Sequence, residues 1–342
     1  MDAREGGPDR DPPVGSRVVV RHRLPSPDPV SGASLTDVVG DLVGADTTGL
    51  TVATRRGEVR VARADVTVLK VVPPRPSRRG APHRALSVED LQRVMVGAWP
   101  AMETARLGGW LLRASRGFTQ RANSVVTTGD PGLPLPDALA AVERWYAERG
   151  LPANLTVASL WGSDPAADPV TVEALARGYH LRRPTLTLTA ATVTVADLAV
   201  PQPDPNHHPP EVALADGLDD AWLDAYRSYR EVDEEAARAI LTGSPAQVFA
   251  TARDEDHTVV GVGRLGISDA WGGIAAMWVA PAARRRGTAS LVLRALAREA
   301  AARGLRSLHL QTDEVNAPAL ALYERHGFER HHVYVNVARS PG

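Results

Sequence analysis

The sequence Met277-Trp-Val-Ala-Pro-Ala-Ala-Arg-Arg-Arg-Gly-Thr-Ala-Ser290 joins an apolar strand pattern to the start of a long helical pattern. The strand pattern ends at Pro281, and Gly287 lacks the Cβ that would keep the backbone away from a ligand. The first amides of a helix have no intrahelical acceptor and lie at the positive end of the helix dipole. Three consecutive arginines add guanidinium donors for phosphate oxygens: Arg284, Arg285 and Arg286. The segment therefore predicts an anion site, and a diphosphate suits these donors.

This turn is neither a Walker phosphate loop nor a dinucleotide fingerprint, because it lacks Gly-Lys-Ser/Thr and has a single glycine. The arrangement Arg284-x-x-Gly287-x-Ala289 instead resembles the acetyl-CoA motif of the GNAT (GCN5-related N-acetyltransferase) superfamily, Arg/Gln-x-x-Gly-x-Gly/Ala. Further along, Asn316-Ala-Pro-Ala-Leu-Ala-Leu-Tyr-Glu-Arg-His-Gly-Phe328 resembles the second GNAT signature, Asn-x-x-Ala-x-x-Leu-Tyr-x-x-x-Gly-Phe. Both motifs occur in the order typical of the superfamily.

The resemblance implies a role for each matching residue in binding acetyl-CoA as co-substrate. The pantetheine arm would pair with backbone groups of the strand before the turn, formed by Met277, Trp278 and Val279. The diphosphate would lie on residues 284–289, which include Thr288 and Ala289. Asn316 would help to hold the pantetheine, and Tyr323 would donate a proton to the departing thiolate. The substrate amine would attack the thioester directly, so no protein nucleophile is needed.

The general base and the acceptor-binding residues are less sharply defined by the sequence. Many GNAT enzymes carry a Glu on the strand before the phosphate turn, but residues 274–279 include no titratable group. Asp313 and Glu314, at the end of the next strand pattern, are the leading candidates, with His309 or an ordered water as alternatives. An acidic acceptor would need an arginine clamp, for which the candidates are Arg113, Arg230 and Arg264. Arg116 and Arg121, which lie with Arg113 around the strands of the first half, could also hold a substrate carboxylate or could be surface charges.

Several of these residues also have a purely structural interpretation. Asn316 is a favoured residue at a helix N-cap whatever its function. Tyr323 has the spacing of a core aromatic residue. The pairs His207-His208 and His331-His332 predict no metal site, because neighbouring residues on a strand point to opposite faces.

The chain divides into three blocks separated by two proline-rich linkers. Residues 1–13 predict a disordered tail, 14–72 a small all-β, SH3-like barrel, and 73–84 and 200–210 the linkers. Residues 85–199 and 211–342 show the same order of elements, which predicts an α/β (α+β) GNAT fold in tandem. The first half is expected to be degenerate, because residues 129–136 hold an acid and three prolines where the phosphate turn would be; the second is expected to be catalytic.

The periodicity places the individual elements of both halves. In the first half it predicts strands at 110–115, 123–128, 155–160 and 185–189, and helices at 136–149 and 170–177. In the second half it predicts strands at 247–252, 258–266, 274–279, 307–312 and 331–337, and helices at 219–229, 233–241, 288–303 and 317–325.

Composition restricts the class of protein. Of the 342 residues 44% are hydrophobic and 23% charged, and none is Cys, which excludes disulfides, thiolate nucleophiles and iron–sulfur clusters. The formal net charge of -1 gives no general attraction to nucleic acid, so no nucleic-acid partner is predicted. No segment has the roughly 18 apolar residues of a membrane span, so we expect a cytoplasmic protein without a membrane partner.

The whole arrangement resembles a family of actinobacterial acetyltransferases that includes N-acetylglutamate synthase of arginine biosynthesis. The leading hypothesis is therefore an acetyl-CoA-dependent N-acetyltransferase that acts on an amino acid, with L-glutamate favoured. Alternatives are acetylation of a protein amine, acetylation of a thiol-precursor amine as in mycothiol synthases, and a non-catalytic acetyl-CoA sensor. No metal is predicted, and a homodimer is left open.

Overall fold

The computed structural model describes residues 12, 14–26, 34–54, 57–71, 82–198 and 208–339. Parts of three predicted regions lie outside the described residues. They are most of the tail, residues 73–81 of the first linker, and residues 200–207 of the second linker, which include His207. The chain divides into two compact units, Met1–Pro76 and Ser77–Gly342.

The first unit is a small antiparallel β-sheet, as predicted. Its strands are β1 Arg17–Arg23, β2 Leu35–Ala45, β3 Gly49–Thr54, β4 Gly57–Ala62 and β5 Val66–Val71, in the order β4-β3-β2-β1-β5. Alternate residues of the strands face one core, which includes the fully buried Val18, Val20 and Leu42. The pattern did not predict β2, because aspartates and glycines interrupt its apolar alternation.

The second unit combines one large mixed sheet with eight α-helices in its described part. The helices are α1 Val88–Ala98, α2 Leu135–Ala147, α3 Pro169–Ala176, α4 Thr192–Asp197, α5 Asp220–Arg227, α6 Glu234–Thr242, α7 Thr288–Ala302 and α8 Ala317–Arg325. The strands are β6 Glu103–Leu107, β7 Trp110–Ala114, β8 Val125–Val126, β9 Asn154–Leu160, β10 His180–Leu181, β11 Thr185–Ala191, β12 Glu211–Ala215, β13 Ala246–Arg253, β14 Val259–Ser268, β15 Trp271–Val279, β16 Ser307–Asp313 and β17 Glu329–Ala338.

Local capping explains where several helices begin. The side chains of Asp219 and Asp233 accept from backbone amides of the first turns of α5 and α6. The predicted strand 123–128 shrinks to Val125–Val126 because the Asn123 side chain holds a loop, accepting from Ser115 N and donating to Phe118 O. Helices α1 and α4 and strands β6, β10 and β12 were not predicted.

Strands from the two predicted halves alternate within the sheet. Its order is β12-β13-β14-β15-β16-β11-β17-β9-β8-β7-β6, and β10 also pairs with β17. Strand β11, from the first half, lies between β16 and β17 of the second, with Leu188 opposite Leu310. Strand β17 in turn pairs with β9 of the first half. The predicted boundary at 200–210 therefore divides the sequence, whereas both halves share one sheet.

The two faces of this sheet differ in polarity near its centre. On one face, α7 packs against β13, β14 and β15 through an apolar core that includes Leu293 and Leu296. On the other face, Gln311, Thr187 and His332 lie opposite one another across β16, β11 and β17. We call this the polar face; α1 packs against the sheet here, since its Gln92 contacts His332 at 2.9 Å.

A chain of hydrogen bonds on the polar face fixes the protonation of two histidines. The side-chain amide nitrogen of Gln92 lies 2.9 Å from His332 Nε2 and donates to it, so the proton of His332 is on Nδ1. His332 Nδ1 therefore donates to His331 Nδ1 at 2.9 Å, and His331 Nε2 donates to the carbonyl of Leu86 at 3.1 Å. Both rings are therefore neutral. Burial lowers the pKa of His332, and of the neighbouring His309, to about 3.

We expect the second unit to lose stability as the pH falls from 6.5. The unfolded chain binds protons at His309 and His332 near pH 6.5, whereas the folded chain binds them only near pH 3. Each group then removes up to about 1.4 kcal/mol of unfolding free energy per pH unit within this window. Urea unfolding at pH 7, 6 and 5 measures the effect. His309→Leu should show a shallower dependence, since neither ring nitrogen has a partner among the described residues; an unchanged slope would contradict the assignment.

Candidate active site

Strands β15 and β16 separate halfway along their length. They pair in parallel from Trp271 opposite Ser307 to Ile274 opposite Leu310, and no further. Pairing of β15 with β14 continues to Val279, but its register shifts next to Ala276, whose φ is +52°. A positive φ is unfavourable for alanine, so this bulge is a strained position that turns β15 away from β16. Residues 275–279 are thus left without a strand partner on the β16 side.

The turn after β15 leads into α7 and carries three exposed arginines, at residues 284–286. A short 3-10 helix at Pro281–Ala283 is followed by Arg285 at φ +60° and by Gly287, the N-cap of α7, at φ +85°. A glycine N-cap has no side chain to accept from the first amides, so these donors point outwards. Arg284 donates from Nε to the carbonyl of Val279 at 3.1 Å, which ties the turn to the end of β15.

Close packing holds α7 against the sheet at this turn. Thr288 is buried and donates from Oγ1 to the carbonyl of Ala283 at 3.2 Å. A Cβ on Gly261 of β14 would lie 2.9 Å from Thr288 Cγ2, so a glycine is needed there for the helix to approach. By contrast, a Cβ on Gly287 would meet no atom within 4 Å. The space next to Gly287 is therefore open to a ligand.

A cavity of about 400 Å³ lies beside the gap between β15 and β16. Its lining comes from both halves of the second unit: Trp99, Thr119, Gln120, Arg121, Thr185, Tyr226, Arg230, Ala276, Thr312, Asp313, Tyr334 and Asn336. This volume suits a small organic molecule. Of the residues predicted from the sequence, the cavity brings together Asp313, Arg230 and Arg121.

Asp313 lies on the floor of the cavity at the end of β16. It is opposite Thr185 of β11, which is in turn opposite Tyr334 of β17. Its Oδ1 accepts from the amide of Val315 at 3.1 Å. The other candidate base, Glu314, is exposed and does not line the cavity.

Two arginines of the cavity wall are held by aromatic rings. Arg230 donates to the hydroxyl of Tyr226 at 2.9 Å, and its guanidinium carbon lies 4.8 Å from the Tyr226 ring centroid and 5.1 Å from that of Tyr229. The guanidinium carbon of Arg121 lies 5.9 Å from the Trp99 ring. Cation–π contacts of this kind orient a guanidinium without neutralising its charge.

The prediction that Arg264 contacts an acceptor is wrong. Arg264 is fully buried and donates to the carbonyls of Leu241 at 2.7 Å and Ala98 at 2.8 Å and to Ser244 Oγ at 2.8 Å. Burial lowers its pKa to about 10. Its donors are engaged by the ends of α1 and α6, and it does not line the cavity.

Arg113 and Arg116 are also engaged elsewhere. Arg113 is buried behind the cavity, where it donates to Ser124 O at 3.0 Å and Ser124 Oγ at 2.8 Å, and burial lowers its pKa to about 10. It lines only a recess of about 10 Å³ beside the cavity. Arg116 forms ion pairs with Asp233 and Glu235.

Tyr323 and Asn316 occupy α8 and its N-cap. Tyr323 is buried, packs edge-on against Phe328 and has no hydrogen-bond partner for its hydroxyl within the described part of the chain. Burial raises its pKa to about 12, and the charge of Arg121 acts in the opposite direction. Asn316 is exposed and accepts from the amide of Ala319 at 3.3 Å, so it caps the helix.

His309 is a poor candidate for the general base. Its pKa of about 3 leaves it neutral and weakly basic at neutral pH, and it does not line the cavity.

Within the described ranges, no group of three or more His, Cys, Asp or Glu side chains is arranged to hold a metal ion. No helix of the described part is long and apolar enough to cross a membrane.

Comparison with known proteins identifies the family. The family model described as "Probable histone acetyltransferase Rv0428c C-terminal" matches residues 87–337. The chain belongs to the Rv0428c family. A second model of that family, "Rv0428c N-terminal Sm-like domain", matches residues 12–70, so the family describes the first unit as Sm-like, whereas the sequence predicted an SH3-like barrel.

Two known proteins are similar to this chain over most of their own length. The probable histone acetyltransferase Rv0428c of Mycobacterium tuberculosis is 30% identical over 328 residues, which cover 94% of each chain. The uncharacterized N-acetyltransferase YobR of Bacillus subtilis is 25% identical over 245 residues, 70% of this chain and 94% of that protein.

Solved structures show the same fold. A GCN5-related N-acetyltransferase from Kribbella flavida has a TM-score of 0.52 at 15% identity, over 75% of this chain and 96% of its own. A tandem GNAT protein from the clavulanic acid biosynthesis pathway has a TM-score of 0.52 at 17% identity, over 77% and 90%. This member of the Rv0428c family is thus an N-acetyltransferase of the GNAT type.

Proposed function

We propose that this enzyme transfers an acetyl group from acetyl-CoA to the amine of an amino acid, with L-glutamate as the favoured acceptor. The separation of β15 and β16 carries the proposal. It leaves a gap in the sheet, with a turn at the end of β15 whose donors suit an anion and with a cavity of small-molecule size beside it. At such a gap, a long thioester that carries a diphosphate would meet a small amine.

The residues of the turn fit the diphosphate of CoA. The first amides of α7 receive no side-chain cap, and the space where a Gly287 Cβ would lie is open. The guanidiniums of residues 284–286 would add donors, and the backbone of Met277, Trp278 and Val279 would hold the pantetheine. Asn316 caps α8. In this proposal it has a second role, which is to contact the pantetheine.

The residues around the gap supply the remaining chemistry. Asp313 would accept the proton of the substrate ammonium, and Glu314 is the less favoured base because it lies outside the cavity. Backbone amides near Trp278 and Val279 would stabilise the oxyanion. Tyr323, which keeps its proton at neutral pH, would donate it to the departing sulfur. In this proposal residues 85–199 form a degenerate GNAT-like half that closes the acceptor side of the gap.

Acetylation of a protein amine is the second candidate, because the relative from M. tuberculosis is named a probable histone acetyltransferase. Release of free thiol from acetyl-CoA distinguishes the two candidates. The full chain would be tested with L-glutamate, other amino acids and a lysine-containing histone peptide. Glutamate-dependent release supports the proposal, and release with the peptide alone supports the second candidate. If CoA binds but none of these acceptors causes release of free thiol from acetyl-CoA, both candidates would be overturned.

We expect Gly287→Ala to weaken CoA binding by about tenfold or more. The added Cβ would enter the space assigned to the diphosphate and, at φ +85°, would strain the N-cap. Isothermal titration calorimetry with CoA measures the change. The matched control is Gly304→Ala, because Gly304 has φ +77° at the opposite end of α7 and also has no atom within 4 Å of a Cβ. Equal loss of affinity in the two variants would argue against a phosphate site at Gly287.

A further inference from the structure

The cavity wall carries two cations that no carboxylate neutralises. Neither Arg121 nor Arg230 forms an ion pair with any residue in the described ranges, although both face a space of about 400 Å³. Neighbouring arginines behave differently, since Arg116 pairs with Glu235 and Arg227 with Glu234. Arg121 and Arg230 are the two arginines that line the cavity, and neither has a counter-ion among the described residues.

The surroundings of the cavity do not compensate these charges. Arg113 and Arg264 lie buried behind its walls, and both donate to carbonyl and hydroxyl oxygens and to no carboxylate. Asp313 is the one acidic residue among the described residues that line the cavity. The field of Arg121 also reaches the buried groups around it, because its charge lowers the pKa of Tyr226 and Tyr323 against the effect of burial.

From this charge distribution we infer that the acceptor is an α-amino dicarboxylate, whose carboxylates bind Arg121 and Arg230 and whose ammonium faces Asp313. The inference rests on the proposed function and adds the residues that would select the acceptor. Two positive charges and one negative charge on the protein match two carboxylates and one ammonium on the ligand. A lysine side chain on a basic histone tail would bring further positive charge to a cavity that already has an excess of it.

The two arginines belong to different halves of the sequence, and their positions depend on the shared sheet. Arg121 follows β7 in the first half, and Arg230 follows α5 in the second. Arg230 is fixed in advance by Tyr226 and Tyr229. A guanidinium that is already oriented loses little conformational freedom when it binds a carboxylate. Arg121 and Arg230 are therefore specificity-determining residues for the acceptor.

Calorimetry with non-reactive probes tests this inference. Glutarate has both carboxylates but no amine, and glutaramide has the same length without charge. We expect glutarate to bind the CoA-saturated full chain at least about tenfold more tightly than glutaramide, because carboxylates form charge-assisted hydrogen bonds with guanidiniums and neutral amides do not. Arg121→Gln and Arg230→Gln should each weaken glutarate binding about tenfold or more. Arg93→Gln is the control, because Arg93 is ion-paired with Glu89 on the exposed side of α1.

The outcomes separate this inference from the proposed function. Equal affinity for glutarate and glutaramide in the unaltered enzyme would overturn the inference while CoA binding stands. This comparison does not depend on the correct folding of any variant. Turnover with a lysine peptide at rates that glutarate does not inhibit would also overturn it. Failure to bind CoA would instead overturn the proposed function.

Discussion

Tyr323→Phe is expected to lower kcat by about 100-fold to 10,000-fold, the usual contribution of general acid–base catalysis, with CoA affinity nearly unchanged. The phenol is buried and its pKa is raised to about 12, so it stays protonated over the whole neutral range. Removing one oxygen leaves the ring packed against Phe328. Single-turnover kinetics together with CoA titration separate the chemical step from binding.

The control for this variant is Tyr179→Phe. Tyr179 is also a buried tyrosine, but its hydroxyl donates to Glu143 on α2, away from the cavity. Its replacement should leave kcat within about twofold of the unaltered enzyme, because it removes no group from the proposed reaction path. Full activity of Tyr323→Phe would remove the proton-donor assignment.

Arg264→Met is expected to lower the free energy of unfolding of the second unit by about 3 kcal/mol. The change removes three hydrogen bonds from a buried guanidinium, each worth about 1.5–3 kcal/mol, and leaves the carbonyl of Leu241 without that donor. The desolvation cost of Arg264 is removed at the same time, so the expected loss is smaller than the sum of the three bonds. Urea unfolding measures the difference.

One further variant of Arg264 tests whether its charge or its geometry matters, and a variant of an exposed arginine is the control. Arg264→Lys keeps the charge but cannot reach three acceptors with one ammonium group, so an intermediate loss is expected. Arg238→Met removes an exposed arginine paired with Asp220 and should change the unfolding free energy by less than about 1 kcal/mol. If Arg264→Met were as stable as Arg238→Met, Arg264 would not hold α1 and α6 in place.

The elements around the two motifs could be predicted because short-range interactions define them. Helix α8 was predicted at 317–325 and is found at Ala317–Arg325, since Asn316 caps its start and Gly327 ends it at φ +81°. Helix α7 likewise begins at the residue after Gly287. These boundaries depend on caps and on glycine conformations that lie within a few residues of each other in the chain.

The cavity beside β15 and β16 could not be predicted in the same way. The charge of Arg264 predicts an acceptor contact, and a strand pattern does not reveal that its guanidinium caps the ends of two distant helices. Arg121 follows a short strand and has no motif of its own that distinguishes it from Arg113 and Arg116. Its place beside Arg230 depends on how the halves of the sheet meet.

Local residue order thus determined the turn after β15, the helix after it and the GNAT type of the enzyme, because each of these depends on neighbours in sequence. Long-range packing alone decided that β11 lies between β16 and β17, that β15 turns away at Ala276, and that Asp313, Arg121 and Arg230 surround one cavity. The physical reason is that strand pairing and burial depend on surfaces from distant segments, and the local sequence of a strand does not specify which strand it pairs with.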